Sequence, residues 1–251
     1  MRFSRRLRDP VFGRDLNFEI IIMHEISLSA EKLFLIGSFI ITNARLTSIT
    51  VTLIIIVAII ALRGSRLLET IVEFLYNLFA DVLESRKLAT EFLPLLATFF
   101  IFIIINNWFG LLPGVGTITY NNAPLFRGAN ADLSTTFALA IISIIATAYF
   151  GIKHTKSIYV KKFFNFKNPI FFAVGLLELL GEFSRMLSFS FRLFGNIFAG
   201  EILLLVMAFL VPVIAPLPFM GLEIFVGFIQ ALVFTMLTLV FLKIATSTES
   251  H

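Results

Sequence analysis

The chain has 251 residues, 58% of them hydrophobic and 14% charged, with a mean hydropathy of +0.96. A soluble domain carries about 25% charge, so this chain has too little polar surface to cover itself in water, and its richness in apolar residues excludes disorder. There is no cysteine, which excludes a disulfide scaffold, thiol catalysis and cysteine-ligated metals. The net charge of +4 lies in short basic clusters at the ends of apolar runs, which is not the continuous stripe of a nucleic-acid binder. What remains is an integral membrane protein, with the lipid bilayer as its first partner.

Residues 1–45 form a polar to interfacial lead. Arg2, Arg5, Arg6 and Arg8 open it, but Asp9, Pro10, Arg14, Asp15 and Glu19 interrupt any signal-peptide core. The apolar stretches 20–23 and 33–41 are too short to span. The first span is expected over 46–62. Its β-branched residues, among them Ile49, Val51 and Ile59, would favour strand in water. In lipid they must be helical, because every backbone group needs a partner within the segment.

Over 67–88, Leu68, Ile71, Leu75, Leu78 and Val82 recur at helical spacing, with Glu69, Glu73, Asp81 and Glu84 between them. That pattern predicts an amphipathic helix, lying in the interface or on the surface of a loop. A second span is expected over 92–112, broken by Pro94 near its start and closed by Pro113-Gly114, with Asn106, Asn107 and Trp108 at its interfacial end. A connection rich in Gly, Asn and Pro leads to a third span over 133–152. Lys153, His154, Lys156, Lys161, Lys162 and Lys167 follow it. Arg63, Arg66, Arg86 and Lys87 lie between the first two spans, whereas the connection between the second and third holds only Arg127. The positive-inside rule then places the basic loops in the cytoplasm or its equivalent, the N-terminus outside and the C-terminus inside.

The last third does not fit ordinary spans. From Pro169 to Pro212 there is no proline. The run would make a helix of roughly 63 Å, about twice the hydrocarbon thickness. Such a helix either breaks, at Gly195 or Gly200, or lies strongly tilted. A proline-rich turn follows at 212–218, and 219–245 runs back as a second helix. The expected fold class is therefore all-α and polytopic: about three ordinary spans, an interfacial amphipathic helix and a long antiparallel pair over 170–246.

Charged and polar residues lie inside that pair: Glu178, Glu182, Arg185, Arg192, Asn196, Glu201, Glu223 and Gln230. A charge at membrane depth costs about 2.5–3.5 kcal/mol on insertion scales, so each needs a partner, water or a task. At 100° per residue, Glu178, Glu182, Arg185, Arg192 and Asn196 fall within about 80° of arc, and Glu201 lies off it. Glu223, Gly227 and Gln230 share a face of the returning helix, which would bring Gln230 opposite Arg192. Glu182 and Arg185, at i,i+3, can simply neutralise each other, and Glu178 can do so with Lys167 or solvent. Arg192 has no such neighbour. Arginine stays charged where lysine, once desolvated, can lose its proton, and a fixed cation in lipid invites a carboxylate from a partner. Ser184, Ser188, Ser190, Gly195, Ala199 and Gly200 thin the helix beside it for close approach.

The stretch Phe189-Ser190-Phe191-Arg192-Leu193-Phe194-Gly195-Asn196-Ile197-Phe198-Ala199-Gly200-Glu201 resembles the signature of subunit a of F-type ATP synthases. Gln230-Ala231-Leu232-Val233-Phe234, the stretch 106–113 and Ala131-Asp132-Leu133 are similar to the same family, from about residue 36 onward. The resemblance implies residues 46–251 as the family's membrane domain, with two tilted helices against an oligomeric ring of c subunits, and peripheral-stalk b subunits as further partners. It implies Arg192 as the arginine that faces the ring carboxylate. Glu201 and Glu223 would line the proton path on the outer side, and Glu178 the cytoplasmic side. Asn196 and Gln230 would be polar neighbours of the arginine, with Glu182, Arg185 and Ser188 as candidate supporting residues. Where many relatives pair an acid with a histidine, both Glu201 and Glu223 are acids here, and two close carboxylates are expected to share one proton. No cofactor or metal is implied, and the chain has no G-x-x-x-x-G-K-[ST] nucleotide motif of its own. A bacterial inner membrane is the expected location, an organellar inner or thylakoid membrane the alternative. A secondary transporter would need repeated halves and broken helices, which the sequence lacks. A mere anchor would leave the buried charges unexplained.

Overall fold

In the computed structural model the described residues are 31–36, 39–112, 115, 118–120, 123–155, 159, 169–211 and 214–247. Residues 1–30 of the lead, the prolines at 113 and 212, and Lys156, Lys161, Lys162 and Lys167 of the basic cluster lie outside them.

The described chain is built of helices, five of them long and apolar enough to cross a membrane. It opens with an antiparallel hairpin of β1 (Lys32–Ile36) and β2 (Phe39–Thr42), in which Ile36 faces Phe39 and Lys32 faces Thr42. Thr42 then caps α1 (Asn43–Ala61), its hydroxyl accepting the Arg45 backbone N–H at 3.4 Å. Asn43, Ala44, Thr47 and Val51 are buried, while Leu53, Ile54, Ile56, Val57 and Ile60 are exposed. Only the first half of α1 therefore packs on the rest; its second half is apolar surface for lipid.

After a turn at Gly64, whose φ of +89° is left-handed, Ser65 caps α2 (Arg66–Leu83). Leu75, Phe79 and Leu83, spaced by four, are buried, and Leu67 and Phe74 are exposed. This is the expected amphipathic helix, with one correction: it ends at Leu83 rather than at Leu88. Glu84 takes a left-handed conformation (φ 55°), and Ser85 caps a new helix, α3 (Arg86–Phe109). The Lys243 ammonium holds this break, donating to the Val82 carbonyl at 2.9 Å and to the Glu84 carboxylate at 2.8 Å. That ammonium keeps the Glu84 carboxyl below its ordinary range. A second correction concerns Pro94, which does not break α3: it sits on the exposed side of a continuous helix.

The connection after α3 carries a short ladder of β3 (Thr119–Tyr120) and β4 (Ala123–Pro124) and a 3₁₀ turn over Ala129–Ala131. It leads into α4 (Leu133–Thr155). Then come α5 (Pro169–Leu210), 42 residues without interruption, and α6 (Pro216–Thr246), 31 residues running back along it. Neither Gly195 nor Gly200 breaks α5.

The core lies where α3, α4, α5 and α6 meet. Phe92, Leu96, Phe99 and Ile103 of α3 pack with Leu193 of α5 and with Phe234, Leu239 and Leu242 of α6. Phe234 takes Phe99 and Phe189 on its ring at 5.5 and 5.3 Å between centroids. Hydroxyls tie the helices across this apolar interior. Ser143 and Thr238 share a hydrogen bond of 2.9 Å, and Ser190 donates to the Thr136 carbonyl at 3.2 Å. Ala140 and Ala231, fully buried, let the backbones come close.

The bundle thus has two ends. One gathers the end of α3, the connection to α4, the end of α5 and the start of α6. The other gathers the α2–α3 break, the end of α4, the start of α5 and the end of α6, where Glu91 pairs with Lys153 at 2.6 Å and with His154 at 3.1 Å.

Candidate functional site

Four-residue steps along one helix return to the same face. On α5 they align Ser184, Ser188, Arg192 and Asn196, and all four are exposed. Gly195 lies beside them with open space where a side chain would be. The guanidinium of Arg192 donates to the Ser188 hydroxyl at 3.4 Å, and among the described residues no carboxylate pairs with it. Phe191, half-exposed, and buried Leu193 flank it. The structure therefore presents a fixed cation on a thin, polar strip of an otherwise apolar surface.

Asn196 reaches α6, donating to the Gln230 side-chain oxygen at 2.8 Å. The helical arithmetic that put Gln230 across from Arg192 is off by about one turn, since its partner is Asn196. Gln230 is buried, so this bond fixes the register of the long pair beside the arginine.

Beyond Asn196, toward the end of α5, the two acids have different surroundings. Glu201 turns to the connection before α4, where Arg127 Nε donates to its carboxylate at 3.3 Å. Glu223, buried on α6, has its carboxyl against the Cα of Gly200, in the space that a Cβ there would occupy. Among the described residues Glu223 makes no hydrogen bond or ion pair. Polar groups of α3 and the connection surround this end. Asn107 donates to the Gly227 carbonyl at 3.0 Å, Trp108 to the Ile224 carbonyl at 3.0 Å, and Asn130 to the Asn107 side-chain oxygen at 2.7 Å. The side-chain oxygens of Asn106 and Asn130 are buried with no donor among the described residues, which suits buried water.

Toward the other end, Glu182 and Arg185 pair at 2.9 Å, and Arg185 lies over the Phe241 ring at 4.5 Å. This is the mutual neutralisation that their spacing allowed. Glu178, half-buried, stands one turn before them. Tyr159, in the α4–α5 connection, packs on Gly151; burial, and next the charge of Glu182, push its hydroxyl up to about 12, so it stays protonated at ordinary pH.

Arg192 thus lies along α5 between two polar clusters, one with Glu201 and one with Glu182 and Arg185. Sequence reasoning missed Arg127, Asn130 and Tyr159 as parts of these groups. Asn107 and Trp108 were visible as an interfacial signal and within the stretch 106–113 that resembles the family, without a partner for either.

Residues 40–243 match the model of the family described as ATP synthase A chain. The chain belongs to the ATP synthase subunit a family. It is similar to ATP synthase subunit a of Trichlorobacter lovleyi, 33% identical over 221 residues that cover 83% of this chain and 90% of the relative. The subunit a of Campylobacter jejuni is 36% identical over 206 residues, 78% of this chain and 85% of that one. That of Gloeobacter violaceus is 37% identical over 174 residues, 68% of each. With its five apolar helices this subunit a homologue is a multi-pass integral membrane protein.

Proposed function

We propose that this chain is the proton-translocating subunit of an F-type ATP synthase membrane sector, with two half-channels and an arginine that couple proton flow to rotation of a c-subunit ring. Residues 46–251 are its membrane domain, and 170–246 the tilted pair facing the ring. Peripheral-stalk b subunits complete its surroundings. The location is a bacterial inner membrane, with the N-terminus outside and the C-terminus in the cytoplasm.

The observation that carries this reading is Arg192, exposed on its polar strip with no carboxylate among the described residues. A partner's carboxylate would meet it across that strip. In the proposed cycle a proton enters past Glu201 and Glu223 and neutralises a ring carboxylate, which can then face lipid. After nearly a full turn that carboxylate reaches Arg192, where it is stabilised as the anion and releases its proton toward Glu178 and the cytoplasm. Asn196 and Gln230 hold the two helices in register beside the arginine. Ser188 supports its guanidinium, and Glu182 and Arg185 line the exit as a neutral pair. Each charge that crosses releases about 2.3 kcal/mol per 100 mV.

The test is ATP-driven proton pumping by the whole complex in vesicles. Arg192→Ala should abolish it in assembled complexes. Arg192→Lys should be severely impaired, because an ammonium lacks the planar fork and can deprotonate when desolvated. Near-normal pumping by Arg192→Ala would sink the reading.

A further inference from the structure

The two acids of the outer half-channel differ in one respect that their chemistry alone does not set. Glu201 has a cation and Glu223 has none among the described residues. The cation is built in. The Arg127 side chain is only 11% exposed and lies over the Phe198 ring at 5.9 Å. Its backbone N–H is held by the Thr47 hydroxyl of α1 at 3.2 Å. The next residue must be small: a Cβ on Gly128 would come within 2.7 Å of the Glu201 carboxylate and, from the other side, one on Gly110 would meet the Gly128 backbone at 3.2 Å. Two glycines therefore let the connection press against Glu201, and α1 fixes the height at which Arg127 meets it. The charged groups turned toward Glu201 from the packed elements are Arg127 of the connection and Glu223 of α6; buried Asp132 is engaged by the Ser134 hydroxyl at 2.6 Å.

We propose that Arg127 is a positioning residue of the outer half-channel, fixing Glu201 on the channel wall as its counter-ion and leaving Glu223 as the acid through which protons pass. The proposal rests on the half-channel reading above and refines it. The two acids do not trade one proton between equals. Glu201 keeps Arg127 from setting a bare positive charge in the path, and Arg127 keeps Glu201 from holding the proton meant for Glu223.

The test uses the whole complex in vesicles, with assembly measured in the membrane and passive proton flux followed against pH. Arg127→Gln leaves a shorter polar side chain and removes the charge, together with the guanidinium that lies over Phe198. It should lower flux by about two- to a hundred-fold, the range of coupling between neighbouring groups, and should change the pH profile. Arg127→Lys should restore most of the flux. The double variant Arg127→Gln/Glu201→Gln should conduct better than Arg127→Gln alone, because no carboxylate is left without its cation. Glu223→Gln should lose far more flux than Glu201→Gln. An Arg127→Gln complex with unchanged flux and pH profile would overturn the proposal, as would Glu201→Gln proving the more damaging acid variant. A loss with no recovery in Arg127→Lys or in the double variant would make Arg127 merely structural and would also overturn it. If neither Glu201→Gln nor Glu223→Gln changed flux in assembled complexes, the half-channel reading itself would fail.

Discussion

At Gly200 the long helices touch closely, because the Glu223 carboxyl occupies the place of its missing Cβ. Gly200→Ala should therefore displace Glu223 or separate α5 from α6, a strain of about 1–3 kcal/mol for an overpacked contact. Gly181, on the same helix, has open space around it. Gly181→Ala should leave stability unchanged or gain up to about 1 kcal/mol of helix propensity. Thermal unfolding of the two variants in detergent decides this, and equal midpoints would mean that the Gly200 contact carries no weight. The strip through Arg192 and Asn196 was legible in the sequence because the helical period alone assigns residues of one helix to a face. The cation beside Glu201 was not. Arg127 is 74 residues away in the chain, in a connection with no period from which a position could be derived.

Among the elements, α3 and α6 are joined at one end by side chains that donate to backbone carbonyls, Asn107 to Gly227 and Trp108 to Ile224. Trp108→Phe removes one such donor at a half-exposed site and should cost about 0.5–1.5 kcal/mol. Asn107→Leu should cost more, about 1–3 kcal/mol, since it also takes the short bond from the buried Asn130 amide and leaves it only the Ile103 carbonyl at 3.5 Å. Chemical unfolding of the two variants would show the order; a larger loss for Trp108→Phe would contradict it. Apolar run length and the absence of proline from 169 to 212 made the spans and the long pair readable. Two boundaries were not. The α2–α3 break depends on Glu84 in a left-handed conformation held by Lys243, from the far end of the chain. Pro94 stays inside α3, on its exposed side, which no local rule foretells.

For the whole molecule, the absence of cysteine makes sidedness directly measurable. A single cysteine at Ile118, exposed in the connection before α4, should react with an impermeant thiol reagent only from outside the cytoplasm. One at Arg63, exposed in the α1–α2 turn, should react only from the cytoplasm. The reverse pattern would exchange the two proposed half-channels. The unbroken α5 has a consequence for what the chain can tolerate. Glu182, Arg192 and Glu201 are graduations on one rigid ruler, spaced by a rise of about 1.5 Å and a turn of about 100° per residue. Lengthening the loop at Gly64 shifts no graduation. A single residue inserted between Asn196 and Gly200 would swing everything beyond it by about 100°, carrying Glu201 away from Arg127 and Gly200 away from Glu223 while Arg192 stayed in place. The molecule would keep Arg192 in place and lose the polar cluster around Glu201 and Glu223, so variation in length has room in the turns and none along this helix.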